Sequence, residues 1–303
     1  MPDYGKPFLF GFYLLKTLRV MLRIAIQSKG RLYEESMALL EEAGIKIPGG
    51  KRTLLVPARN FPVEVLFLRD DDIPESVASG VADVGIVGLN EVMEKRCPVG
   101  ILKKLGFGKC RLSLAIPQDI DYQDRNWFSG KKIATSYPGI LSDYLHKNGI
   151  VSDIHVITGS VEIAPGIRLA DAIFDIVSSG STLVSNRLKE VETVVESEAV
   201  LIGTDSISPE KRGILDELLF RFDSVQAADD KKYILMNVPQ KKLNDVLSVL
   251  PGIKSPTVMP LADKEWCSVH TVLDEKCFWE IINRLKTAGA EGILVLDIEK
   301  MIL

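Results

Sequence analysis

Apolar residues fall along the chain in short continuous runs, and the stretches between them have helical spacing. The runs at 22–26, 63–68, 83–88, 111–116, 132–135, 154–157 and 170–177 read as buried strands, with a further strand at 53–56. Between them, Leu32, Leu39, Leu40 and Ala43 share one helical face that Gly44 ends, and 140–147 repeats the pattern before Asn148-Gly149. Ile73-Pro74 starts a short helix that stops at Gly80, and another opens at Glu91. Strands that are apolar throughout and alternate with helices predict a mostly parallel α/β sheet. Ligands of such sheets lie beyond the carboxyl ends of the strands, where the loops 27–31, 69–72 and 88–90 gather. A second block starts near Leu102, and 191–196 and 199–202 read as two more strands. The arrangement expected is two α/β lobes with a cleft between them, the chain returning to the first lobe near residue 184. From 232 onwards the order is strand 232–238, helix 241–250, strand 254–259, strand 266–272, helix 275–288 and strand 292–298. That is βαββαβ, a ferredoxin-like unit with an open sheet face or edge that suits regulation or assembly. The polar stretch 224–230 reads as its linker.

Residues 8–15 (FLFGFYLL) precede Lys16, Arg19 and Arg23. Charge after the apolar core, with no small-residue cleavage site, makes a poor signal peptide, and the run is too short to span a bilayer. It reads as an extension, with the fold beginning near Met21. A chain of 303 residues with 46% hydrophobic and 26% charged residues is long enough for two to three soluble domains. A net charge of −4 excludes a general nucleic-acid or membrane-surface binder. Cys97, Cys110, Cys267 and Cys277 lack zinc-type spacing, and three scattered histidines make no metal cage. Reduced thiols and a cytoplasmic location follow.

The chemistry concentrates after the run 170–177, which contains Asp171 and Asp175 and leads directly into Ser178, Ser179, Gly180, Ser181 and Thr182. A buried strand ending in small hydroxyl residues and glycine offers backbone N–H groups and hydroxyls to a phosphate, and a following helix adds its positive end. Gly180 supplies the φ freedom of the turn. The acids upstream would reach ribose hydroxyls or a Mg²⁺ carried by a pyrophosphate. The same residues also read as an ordinary strand–turn–helix junction capped by Ser and Thr.

Several segments in order resemble the long-form ATP phosphoribosyltransferase family. They are Gln27, Lys29, Gly30 and Arg31; Arg69-Asp70-Asp71-Asp72-Ile73-Pro74; 83–90; 159–183; Ser255-Pro256-Thr257; Pro260-Leu261-Ala262; and 292–302. The resemblance spans about 21–303 and implies a two-lobed, periplasmic-binding-protein-like catalytic core with a C-terminal regulatory domain. The division expected is an extension at 1–20, lobe 1 at 21–103 and 184–223, lobe 2 at 104–183 and the regulatory domain at 225–303. The implied reaction transfers the phosphoribosyl group of phosphoribosyl pyrophosphate (PRPP) to N1 of ATP, releasing pyrophosphate, with Mg²⁺, as the first step of histidine biosynthesis. On this resemblance Ser178 to Thr182 hold the 5′-phosphate, while Asp171 and Asp175, with Glu162, act at the ribose or its Mg²⁺. Lys29, Arg31, Arg52 and Arg69 meet the ATP phosphates or pyrophosphate. L-histidine is the implied inhibitor, with Thr257 and Ala290 at its site, AMP a second effector, and the assembly a homo-oligomer, dimer to hexamer.

The rival class is a two-lobed binding protein or effector-sensing module without catalysis. A secreted receptor carries a convincing signal peptide, and a regulator carries a helix-turn-helix and a basic face. This sequence shows neither, and neither rival explains a hydroxyl-rich loop behind two acids.

Overall fold

The computed structural model describes residues 20–49, 53–251 and 256–303. The expected extension at 1–20 therefore lies outside the described residues except for Val20, and so does Arg52.

The first segment runs β1 (Leu22–Gln27), α1 (Arg31–Glu42), β2 (Leu55–Pro57), β3 (Val63–Leu68), α2 (Ile73–Ala78), β4 (Val84–Gly88), α3 (Leu89–Lys95) and β5 (Gly100–Lys104). The second comprises β6 (Cys110–Pro117), β7 (Lys132–Thr135), α4 (Pro138–Lys147), β8 (Asp153–Val156), β9 (Ala172–Val177), α5 (Ser181–Ser185) and β10 (Leu188–Ser197). β11 (Ala199–Gly203) and α6 (Pro209–Ala228) follow, then β12 (Lys231–Pro239), α7 (Leu243–Val249), β13 (Thr257–Pro260), β14 (Trp266–Asp274), α8 (Glu275–Ala288) and β15 (Glu291–Asp297).

These form three sheets, ordered β2-β3-β1-β4-β11-β5, β10-β6-β9-β7-β8 and β13-β14-β12-β15. In the first, β1 runs parallel to β3 and β4, with Gln27 opposite Leu68. The loops after β1, β3 and β4 consequently share one edge, and the Ser28 N–H donates to the Leu68 carbonyl at 2.8 Å. Leu22, Ile24 and Ile26 of β1 pack with Leu39 and Leu40 of α1 and with Leu215, Leu218 and Phe222 of α6 in one core. In the second sheet β9 lies between β6 and β7, so that Phe174 packs with Leu114 and Phe128 while Ile173 and Val177 face a smaller core under 157–169. The third sheet sets its four strands in the order second, third, first, fourth, as a ferredoxin-like unit does, and one face of it is covered by α7 and α8.

Two boundaries differ from expectation. The chain re-enters the first lobe at residue 198, not 184, because β10 pairs along β6 from Leu188 to Ser197 in the second sheet. Lobe 2 is thus 110–197, joined by two adjacent crossings in which Leu105 and Ala199 N–H groups donate to Ala199 and Phe107 carbonyls. The stretch 224–230 is no free linker either. α6 continues to Ala228, and the Met301 N–H donates to the Ser224 carbonyl, which ties the end of the chain to that helix.

Candidate active site

The loop 178–182 follows β9 directly. Gly180 has φ +80°, a left-handed conformation that costs other residues strain, and Leu183 anchors the loop from beneath. Ser178, Ser179, Ser181 and Thr182 are exposed, and the Ser179 and Ser181 hydroxyls pair at 2.9 Å. α5 is only five residues long, so a bound anion would rely on loop N–H groups and hydroxyls more than on a helix dipole.

Arg31, at the start of α1 in lobe 1, reaches across to lobe 2. Its Nη1 donates to the Ser178 hydroxyl at 3.0 Å, and Glu35 steadies its Nε at 3.4 Å. Arg111 of β6 grips the same loop from below, donating to the Ser178 carbonyl at 3.2 Å. Arg111 is itself fixed by a two-pronged pair with Glu190, at 2.5 and 2.6 Å. This pairing, with bonds from Ser113 and Thr193, holds the Glu190 carboxyl down at about 2.

Asp175 lies on β9 three residues before the loop, on the face that carries Ile173 and Val177. Burial, opposed by the Ile176 N–H and reinforced by the nearby Glu162 charge, pushes its carboxyl up to about 6. Glu162 sits in a single helical turn, 161–163, that the left-handed Gly159 and Ser160 aim back over β9. The Glu162 charge is thus close enough to Asp175 to act on it.

Asp171 is not part of this group, and that expectation is corrected. It precedes β9 and accepts the Lys132 N–H at 2.9 Å. Seven extended residues at about 3.3 Å each put it on the order of 20 Å from the loop.

Lys29 is exposed in the loop after β1. Arg69 is exposed after β3 and paired with Asp71 at 3.1 Å, and Lys95 adds a second cation to Asp71 at 3.6 Å. Thr257 and Ala290 adjoin β13 and β15, which are opposite edges of the third sheet. Three strand spacings of about 4.8 Å separate those edges, roughly 14 Å, so one chain does not bring the pair together.

The structure adds groups that the sequence reading passed over. Tyr137, at the end of β7, donates to Glu91 Oε1 at 2.8 Å, and Asn90 Nδ2 donates to the Tyr137 hydroxyl at 3.2 Å. Ser197 donates to Asn90 Oδ1 at 2.8 Å and accepts the Asn90 N–H at 3.1 Å. All four side chains are buried, and they join the two lobes at the floor of the cleft. Burial raises the Glu91 carboxyl, and the Tyr137 hydrogen bond only partly offsets it. A tyrosine between a strand and a proline-started helix was the available signal for this cluster.

The order of segments around this cleft is matched elsewhere. The family model described as ATP phosphoribosyltransferase matches residues 69–224, and the model of its C-terminal domain matches 228–300. An ATP phosphoribosyltransferase of Bacteroides fragilis is 70% identical over 283 residues, covering 93% of this chain and all of that protein. The chain belongs to the ATP phosphoribosyltransferase family. The Phocaeicola vulgatus member is 71% identical over the same shares of both chains. Among solved structures, the ATP phosphoribosyl transferase (HisG:HisZ) complex from Thermotoga maritima aligns at TM-score 0.58 and 27% identity, over 67% of this chain and 98% of that one. The protein is therefore a transferase of histidine biosynthesis, with ATP and PRPP as the substrates of its class. Among the described residues no helix is long and apolar enough to cross a membrane.

Proposed function

We propose that the loop 178–182 holds the 5′-phosphate of PRPP and that transfer to N1 of ATP takes place in the cleft beside it. The observation that carries this is the bond from Arg31 of one lobe to Ser178 of the other, which sets a cation and a hydroxyl-rich loop face to face, three residues past Asp175. Adenine N1 attacks with its own lone pair, so no proton need be removed first. The N1–C1 bond forms as the C1–oxygen bond to pyrophosphate breaks, and the ribose passes through an oxocarbenium-like state. Asp175 and Glu162 then face developing positive charge, a role of placement and electrostatics. Lys29 and Arg31, with Arg69 further out, are the cations that meet the ATP phosphates or the departing pyrophosphate.

Among the described residues no group of three or more acids, cysteines and histidines forms a cage for a metal. Asp175, held up near 6 chiefly by burial, and the neighbouring Glu162 charge fit a Mg²⁺ that arrives on the substrate. When bound, that ion neutralises pyrophosphate as it leaves.

The C-terminal domain is proposed to sense L-histidine, with AMP a second effector, in a cytoplasmic homo-oligomer between dimer and hexamer. Its uncovered sheet face supports assembly, for Tyr233 and Leu296 pair across β12 and β15, as do Leu235 and Leu294, away from α7 and α8. The deciding experiment is pyrophosphate release from ATP plus PRPP by wild type and Thr182→Ala. One lost donor to a charged phosphate is worth about 1.5–3 kcal/mol, or roughly ten- to a hundredfold in the KM for PRPP. An unchanged KM for PRPP would remove the loop from the site.

A further inference from the structure

Three side chains of α3 and the residue after it, all in lobe 1, converge on the first turn of α4 in lobe 2. The N–H groups at a helix start have no partner within the helix. Those of Gly139 and Ile140 both find one in the other lobe, donating to Glu94 Oε1 at 2.8 Å and Oε2 at 2.9 Å. Tyr137, the residue before the helix, gives it no side-chain cap. Arg96, held at φ 54°, donates to the Gly139 carbonyl at 3.1 Å and to Asp143 at 2.7 Å. Glu91 completes the set through Tyr137. The fit is close: a Cβ on Gly139 would stand 3.0 and 3.2 Å from the two Glu94 oxygens. Gly139 has no positive φ, so only this cross-lobe contact asks for glycine there.

We propose that Glu94 is a positioning residue for the transfer: by capping α4 from the opposite lobe it sets the width of the cleft. The width fixes how far Lys29 and Arg31 of lobe 1 stand from the loop 178–182 and Asp175 of lobe 2. Glu94 touches neither substrate in this scheme. The inference rests on the assignment of that loop to PRPP, and it uses the sensitivity of bond transfer to misplacements of about 1 Å.

The test is a cycle of Glu94→Ala, Gly139→Ala and the double variant, each checked for folding by circular dichroism and read by steady-state kinetics with both substrates. Glu94→Ala is expected to lower kcat about tenfold or more and to raise the KM of both ATP and PRPP, because each lobe holds its share of the pair. Gly139→Ala, which pushes the Glu94 carboxylate aside by a few tenths of an ångström, is expected to act in the same direction to a smaller degree. In the double variant the added methyl meets no carboxylate, so its constants should match those of Glu94→Ala alone.

Alanine normally stabilises a helix relative to glycine. A Gly139→Ala protein that melts higher with wild-type kcat would therefore overturn the proposal, even if Glu94→Ala did not fold. Wild-type constants in folded Glu94→Ala would overturn it too, as would a shift in one substrate's KM only, or effects that multiply in the double variant. Failure of the loop assignment is separately visible, since Thr182→Ala should move the KM for PRPP alone.

Discussion

At the scale of single residues, burial carries the Asp175 carboxyl well above the ordinary carboxylate range. A carboxyl whose folded pKa is raised is favoured by the fold in its protonated form. Its contribution is therefore present at low pH and is lost as pH rises from the ordinary 3.8 through about 6. At 1.36 kcal/mol per pH unit, the cost of keeping it ionised at pH 7.5 is at most roughly 3 kcal/mol. Asp175→Asn is expected to melt higher than wild type at pH 7.5, with the difference gone near pH 4, while losing most of its activity. Thermal melts across that range check the first part; equal melting at pH 7.5 would contradict the burial argument. Gly180→Val should raise the KM for PRPP as well, here through strain at φ +80° as much as through bulk. Gly180 and its hydroxyl neighbours were legible in the sequence because turn chemistry is local. Asp171 groups with them on residue type, although its place at the start of the run 170–177 already puts seven extended residues between it and the loop. Glu91 and Tyr137 carried only the weak signal of a tyrosine before a proline-started helix, because tertiary contact alone pairs them.

At the scale of elements, the β6–β10 pair supports the loop. Arg111, opposite Glu196 in this ladder, reaches Glu190, which stands opposite Ala115, and their pair holds the Ser178 carbonyl in place. A carboxyl lowered to about 2 contributes stability that is fully present above its ordinary 4.5 and is lost as pH falls through 2. Glu190→Gln should therefore cost roughly 2–3 kcal/mol at pH 7 and little at pH 2, where about half of the wild-type carboxyl is protonated and most of the stabilisation is gone. Denaturant titrations at the two pH values read this directly, and a gap that does not close with acid would mean packing rather than charge. Most strands were legible to within two residues because their apolar runs are continuous, and α8 (Glu275–Ala288) was read to the residue. α6 was missed: Leu215, Leu218 and Phe222 are buried, but Phe220 between them is half exposed, and the stripe blurs. β10 was assigned to the wrong lobe because half-exposed alternation does not name the partner strand.

At the scale of the whole molecule, the regulatory domain has its own core, separate from that of lobe 1. A chain ending at Asp230, which keeps α6 whole, is expected to release pyrophosphate from PRPP and ATP while losing inhibition by L-histidine. Inhibition of that folded fragment as strong as that of the full chain would move the inhibitor site into the lobes. The two-lobed plan was legible from the βα alternation. The depth of the insertion was not, since it depends on β11 slotting between β4 and β5. That slot has a consequence for synthesis on the ribosome. Among the described residues β5 has β11 as its only neighbour in the sheet, so the lobe 1 sheet stays open until residue 203 has emerged, and its core until α6 follows. Lobe 2, whose strands all lie between 110 and 197, is by then complete. The inserted lobe can thus fold first on the nascent chain, and its two adjacent ends deliver β11 to the gap left for it.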